Sequence, residues 1–372
     1  MRALNDESAS VVLREHEAVG GRVVAEAHLN VQKTLNSLSV EMTQIITPAL
    51  KAWGADDRVA AIVFTGAGDR AFCAGGDIQA LYHAMVRNHA AGHVVDSYPF
   101  DFFENEYRMD YLIHTCPKPV VSIGHGVVMG GGLGIFSASR FRVVTETSRI
   151  AYPEVTIGLF PDAGGTAMLR SIEPHVALFL GCTGAHFNGA DACAIGVGTH
   201  QVATAERGRA LESLLALDYA GDASDAMRID AALAALPAPP MPEAQVGAIP
   251  ETLRLGDGFA DVIGQIRALG GDGWLGKGVA AMERGCPTTV GVVIEQLRRA
   301  PGMSLADCFR MEMVIGARCA MNEDFAEGVR ALLIDKDNAP KWKFGGLDGL
   351  DPAHVLTHFD PPWPNNPLDD LD

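Results

Sequence analysis

The chain has 372 residues, 48% of them apolar, which by length suggests about two domains and allows a large core. Its formal charge of −17 excludes a nucleic-acid binder that relies on a broad basic surface, but not an anionic small ligand held by a few local Lys or Arg. Seven cysteines, an odd number without a CxxC pair, fit reduced thiols in a cytosolic compartment better than a disulfide framework or a zinc ribbon. The acidic N-terminus resembles neither a secretory signal nor a transit peptide, and no run of about 18 apolar residues occurs. A cytoplasmic protein without a membrane span is expected.

Residues 10–30 read as a hairpin, with Gly20-Gly21 between two β-rich runs. Ser39 is placed to cap a helix carrying Met42, Ile45, Ala49, Leu50 and Trp53, in which Pro48 predicts a kink or an early stop. A buried strand over Ala60–Phe64 leads into a glycine-rich loop, and helices are expected from Ile78 to about Asn88 and from about Phe102 to His114. A second buried strand, Val120–Ile123, leads into Gly130-Gly131-Gly132, a helix through Phe136 and a strand over Phe141–Val144. Strand, glycine loop and helix recur, so the class is α/β. Residues 221–250, rich in Ala and Pro, read as a linker or crossing between a 1–220 core and a mainly helical 251–372 region. Ser304 and Asp307 resemble a capping box, and the last ten residues read as a frayed tail.

Three nucleotide or nucleophile motifs fail on inspection. Gly66 to Ala71 has the form GxGxxA after a strand, but no clean helix and no acid about 20 residues on follow it. The stretch Gly271 to Gly278 nearly matches a P-loop, yet Gly278 replaces the hydroxyl that would bind Mg²⁺. No G-x-S-x-G elbow and no HExxH occur, and His125 lacks a partner motif.

What survives is a set of acids and glycine turns. Glu154 and Asp162 each follow a proline, Pro153 or Pro161, on stiffened backbone among Val155, Ile157, Leu159 and Phe160. Such a carboxylate is partly desolvated, which suits acid–base work, although caps and ion pairs would place acids there too. Two glycine turns each follow a buried strand, Cys73-Ala74-Gly75-Gly76-Asp77 and Met129 to Gly132. If the N–H groups of Ala74 and Gly131 converge, they form a two-donor oxyanion hole suited to a thioester carbonyl.

The run Ala71 to Ile78, then Gly130 to Gly132, then Pro153-Glu154 with Gly158 and Gly164-Gly165, resembles the enoyl-CoA hydratase/isomerase (crotonase) superfamily. The stretch Tyr152 to Gly165 and the run Asp324 to Trp342 resemble, within it, the 3-hydroxyisobutyryl-CoA hydrolases. The resemblance implies a crotonase-like ββα superhelix core that binds acyl-CoA, with CoA as part of the substrate and neither cofactor nor metal. It implies Ala74 and Gly131 as oxyanion-hole donors, and Glu154 and Asp162 as the catalytic carboxylates. Glu106, Gly131, Glu154 and Asp162 would surround the acyl group, and Ala74, Gly76, Asp77 and Ile78 would line the CoA site.

True hydratases carry a second catalytic Glu where Gly134 stands, so the absence argues for a hydrolase. The reaction implied is hydrolysis of a short branched 3-hydroxyacyl-CoA, foremost 3-hydroxyisobutyryl-CoA in valine catabolism. The alternatives are an enoyl-CoA hydratase or isomerase and a non-catalytic acyl-CoA-binding member. Tyr152 stands where the hydrolases more often carry Met, which bears on acyl specificity. Neither nucleic acid nor membrane is expected as a partner. Many members of the superfamily form trimers, so a homo-oligomer is open. Lys336, Lys341 and Lys343 read as a solvated basic cluster, with contact to CoA phosphates as the other reading.

Overall fold

The computed structural model describes residues Met1–Asp372. The fold is α/β, and its two compact units are not consecutive in sequence. One comprises Met1–Gly76, Arg108–Ile150 and Phe187–Ala244; the other Asp77–Tyr107, Ala151–His186 and Gln245–Asp372.

The first unit is built on a seven-stranded sheet. The hairpin strands Val11–Glu17 and Val23–Leu29 pair antiparallel, with Val11 opposite Leu29. Gly20 and Gly21 turn the chain between them at φ 76° and 74°, a conformation that glycine adopts without a Cβ penalty. Val23–Leu29, Val59–Gly66, Val120–Gly124 and Phe141–Val144 then pair in parallel, with Val63 opposite Val121 and Val121 opposite Phe141. Alternate residues Ala61 and Val63, Val121 and Ile123, Phe141 and Val143 form one core. Ala210, Leu214, Ile229 and Leu233, from two helices, belong to the same core. This is the two-residue period of a sheet meeting the longer period of helices. A smaller four-stranded sheet contains Ala71–Cys73 paired in parallel with Val127–Met129, and both of those strands end in glycine turns.

The second unit is mainly helical. Its long helices Pro287–Arg299 and Leu305–Met321 bury nearly continuous apolar faces, including Val290, Val293, Ile294, Phe309, Met313 and Ala317. Ser304 and Asp307 make the expected reciprocal capping box at the start of the latter helix.

Four local expectations need revision. The helix Val40–Ala55 does not stop at Pro48 but continues past it. A proline removes only one of the bonds in a 16-residue helix, and burial of Met42, Ile46, Ala49, Leu50 and Trp53 outweighs it. Ile46, rather than Ile45, is the buried member of that pair. Residues 221–250 are not all linker, since Ser224–Ala234 is a helix that buries Ala226, Ile229 and Leu233 at helical spacing. Alanine is the best helix former, so an Ala-rich run folds readily once one face is covered. The C-terminal residues are not frayed. Leu368 is fully buried, and the Asn366 side chain donates to the Arg310 carbonyl at 2.9 Å.

Candidate active site

In the first unit, the two glycine turns lie side by side. Gly75 has φ 109° and Gly130 φ 49°, both in the region that favours glycine. A Cβ built on Gly75 would stand 3.4 Å from the Met129 carbonyl oxygen and 3.9 Å from the Gly131 nitrogen. Gly132, the second residue of the helix Gly131–Ala138, lies against the end of the other strand, and a Cβ there would fall 2.3 Å from the Cys73 carbonyl oxygen. No larger residue fits, so the close approach of the two turns depends on that glycine.

The donors these turns offer differ from the expected pair. The Ala74 N–H donates to the Leu35 carbonyl at 3.0 Å, so it is spent inside the fold and does not face a ligand. The N–H groups of Gly75, Gly76 and Gly131 have no acceptor within the chain. For Gly131 the reason is general, because the first N–H groups of a helix lack an intrahelical partner and carry the positive end of its dipole. The expected Ala74–Gly131 pair is therefore not offered as two free donors; the free N–H groups of the two turns include those of Gly75, Gly76 and Gly131. Gly134 lies buried within the same helix and brings no carboxylate.

In the second unit, four acids are drawn out of water: Glu106, Glu154, Asp162 and Glu312 are all buried. Glu106 comes from the helix Tyr98–His114. Glu154 sits in a single 3₁₀ turn, Pro153–Thr156, so its backbone is helical there and not extended. Pro153 opens that turn, a position that needs no N–H. Asp162 follows Pro161 in a turn in which Ala163 has φ 53° and Gly164 φ 82°. Glu312 projects from Leu305–Met321.

The partners of these acids are few. The Tyr107 hydroxyl donates to Asp162 Oδ2 at 2.8 Å. One oxygen each of Glu106 and Glu154 has no hydrogen-bond partner. Glu312 accepts Gly164 N–H on Oε2 and Thr166 N–H on Oε1, both at 2.8 Å. The Gln296 amide donates to the Pro161 carbonyl and to Thr166 Oγ1, holding the same turn from another side. Phe103, Tyr107 and Phe309 form an aromatic ladder, with centroids 5.7 and 6.0 Å apart.

Burial sets the proton affinities. It pushes Asp162 up to about 6, opposed by the Tyr107 hydrogen bond. It pushes Glu312 up to about 8, opposed by its contacts with Thr166 and Gly164. Glu154 is raised well above the usual carboxylate range by burial and then by the charge of Asp162. Glu106 is raised likewise by burial, with Asp162, Glu154 and Glu312 adding to it. Buried acids that repel one another hold protons near neutrality, which equips them to give and take protons in a reaction. Burial also raises Tyr107, which stays a neutral hydroxyl.

Of the residues expected at the CoA site, Asp77 caps the helix Ile78–Ala91 by accepting the Ala80 N–H at 3.3 Å, and Ile78 is that helix's first residue. No three His, Cys, Asp or Glu side chains are arranged to hold a metal ion.

Residues 24–359 match the family model described as enoyl-CoA hydratase/isomerase. The chain belongs to that family. It is 33% identical over 359 residues to the mitochondrial 3-hydroxyisobutyryl-CoA hydrolase of Gallus gallus, covering 96% of this chain and 90% of that protein. The mitochondrial enzyme of the same name from Homo sapiens is 32% identical, over 95% of this chain and 89% of its own. A solved structure, titled a carnitinyl-CoA dehydratase from Mycobacterium thermoresistibile, superposes with a TM-score of 0.83 at 33% identity, covering 98% of this chain and 100% of that one. Near-complete coverage in both directions extends the family fold over the helical second unit as well.

Tyr107 and Glu312 were absent from the expected site. Tyr107 adjoins Glu106 in sequence. Glu312 lies three residues beyond Phe309 and one before Met313, so a charge at that helical spacing falls on a buried face, and this is the signal that marks it.

Proposed function

We propose that the chain hydrolyses a short branched 3-hydroxyacyl-CoA thioester, with 3-hydroxyisobutyryl-CoA as the leading substrate. The observation that carries this reading is the buried pair Glu154 and Asp162, raised toward neutrality, in a chain whose Gly134 supplies no second hydratase-type carboxylate. Relatives named 3-hydroxyisobutyryl-CoA hydrolase, similar over nearly the whole chain, support it. A role in valine breakdown follows from that substrate.

In this reading the thioester oxygen accepts hydrogen bonds from Gly131 N–H and from Gly76 N–H, which strengthen as the carbonyl carbon becomes tetrahedral. Glu154 takes a proton from water as that water attacks the carbonyl carbon, or attacks the carbon itself to give an anhydride that water then cleaves. The carbon–sulfur bond breaks, and CoA leaves as thiolate to be protonated. Asp162 handles that proton or holds the substrate hydroxyl, and Glu106 supports the hydroxyl end.

The test is release of free thiol over a panel of acyl-CoA thioesters. The 3-hydroxyisobutyryl thioester should be cleaved fastest, and Glu154→Gln and Asp162→Asn should each lose activity. Wild-type rates in both variants would refute the assignment. Single turnover in H₂¹⁸O separates the two routes, because only the anhydride route can place label in Glu154.

A second reading, water addition to or removal from an acyl-CoA without thioester cleavage, draws on the structural neighbour titled a dehydratase. It would show as a change in enoyl absorbance with no thiol released, and the empty position at Gly134 weighs against it. The relatives' names place them in mitochondria, so they lend no support to a cytoplasmic location.

A further inference from the structure

Glu312 does something for the Asp162 turn that no other side chain does. Its two oxygens each accept a main-chain N–H of that turn, from Gly164 and Thr166, at 2.8 Å. The turn needs holding, since Ala163 carries a side chain at φ 53°. A left-handed residue other than glycine is strained and persists only when its surroundings enforce it.

Hydrogen-bond chemistry then fixes where a shared proton rests. A main-chain N–H can only donate, so an oxygen facing one must accept. Glu312 uses both oxygens in this way, which suits its ionised form. The partner of Asp162 is a hydroxyl, which donates to a carboxylate and equally accepts from a carboxylic acid. Asp162 can therefore take up a proton and keep its bond to Tyr107, whereas Glu312 would set a proton against amides that cannot turn round.

We propose that Glu312 is a positioning residue for Asp162: it clamps the turn that bears Asp162 and, by remaining ionised, leaves the proton shared by the two acids on Asp162. This rests on the function proposed above. The groups acting on the pair are Glu106 and Tyr107 from Tyr98–His114, Glu154 from its 3₁₀ turn, and Cys308 and Cys319 from the helix of Glu312 itself. All are acids when they titrate. Arg170 acts on Cys308, and its guanidinium donates to the Met303 carbonyl. Burial raises both acids and the charge of Asp162 adds to the rise of Glu312, so the two disfavour being ionised together, while the Thr166 and Gly164 amides favour the ionised form of Glu312. Held on Asp162, the shared proton can pass to the CoA sulfur as the carbon–sulfur bond breaks. The proton that water loses to Glu154 replaces it over the cycle.

The experiment is a carboxyl ¹³C NMR titration of aspartate-labelled protein. The Asp162 signal is assigned from D162N, and the titration is run beside the pH profile of kcat. In wild type Asp162 should titrate near 6, well above the ordinary carboxylate range. In E312Q its proton affinity should fall at least about tenfold, because a buried neighbouring charge has gone, with kcat down roughly 10–100-fold and KM within about threefold. E312D keeps the charge at shorter reach, so it should keep the wild-type titration while losing rate. An unchanged Asp162 titration in E312Q overturns the proposal. If E312Q does not fold, E312D decides: an unchanged titration supports the proposal and a fall overturns it. The titration needs no turnover. Absence of thiol release by wild type would refute the proposed function and leave the titration result standing on its own.

Discussion

The Tyr107 hydroxyl donates to Asp162 Oδ2 at 2.8 Å, so a residue that is not itself charged near neutrality opposes the rise that burial gives the Asp162 proton affinity. The bond lowers an Asp162 carboxyl that burial has raised to about 6. In Tyr107→Phe the ionised form loses this donor, and Asp162 should titrate at higher pH. The limb of the pH–rate profile that reports Asp162 should move upward. Stability should fall by roughly 0.5–1.5 kcal/mol, as for one lost buried hydrogen bond. A profile that stays in place would separate Tyr107 from Asp162 function.

Gly316 offers a way to disturb the same bond from behind. A Cβ there would stand 3.2 Å from the Tyr107 hydroxyl oxygen and 3.3 Å from Phe103 Cδ2. Both groups must yield by a few tenths of an ångström. Gly316→Ala also gains up to about 1 kcal/mol of helix propensity, which offsets the crowding. The expected outcome is a melting temperature near wild type with a lowered kcat, read by thermal denaturation and thiol release. Full activity would show that the hydroxyl tolerates displacement.

The acid cluster should make stability fall as pH rises. Asp162 has a folded-state value of about 6 against an ordinary 3.8. A group raised in this way favours the fold fully below its unfolded value and loses that contribution as pH climbs through its folded value. For Asp162 the loss spans about pH 4 to just above 6 and amounts to roughly 3 kcal/mol at most. Asp162→Asn should therefore melt higher than wild type at pH 7.5, with the gain shrinking toward pH 4. A gain that is constant across this range would contradict the assignment.

The close approach of the two glycine turns gives a fourth prediction. Gly132→Ala places a Cβ 2.3 Å from the Cys73 carbonyl oxygen, which is backbone and cannot swing aside. The turns must part, at a cost of about 1–3 kcal/mol. Thiol release should fall by about 10²-fold or more if, as proposed, Gly131 N–H is an oxyanion donor. Retained activity would remove the turns from the reaction.

Some of this was legible in the residues alone and some was not, for physical reasons. The hairpin announced itself through Gly20 and Gly21, and the parallel strands through continuous apolar runs that are buried on both faces. Pro153 and Pro161 marked the acids that follow them. Which N–H of the 73–77 turn faces outward was not legible, because the Ala74 N–H is consumed by Leu35, a residue whose own φ of 56° no pattern foretells. Glu312 was hidden by distance. It lies 148 residues from Gly164, and its meaning rests on two amide contacts that composition cannot express. The C-terminal residues misled through composition, since their Pro, Asn and Asp surround Leu368 and Leu371, which are buried.

The most direct test of the account is to incubate the purified protein with 3-hydroxyisobutyryl-CoA and follow free thiol and enoyl absorbance in one cuvette. Cleavage of the thioester by Glu154 and Asp162 requires stoichiometric thiol with no enoyl signal, lost in Glu154→Gln. Enoyl absorbance that rises while thiol stays at background would contradict it.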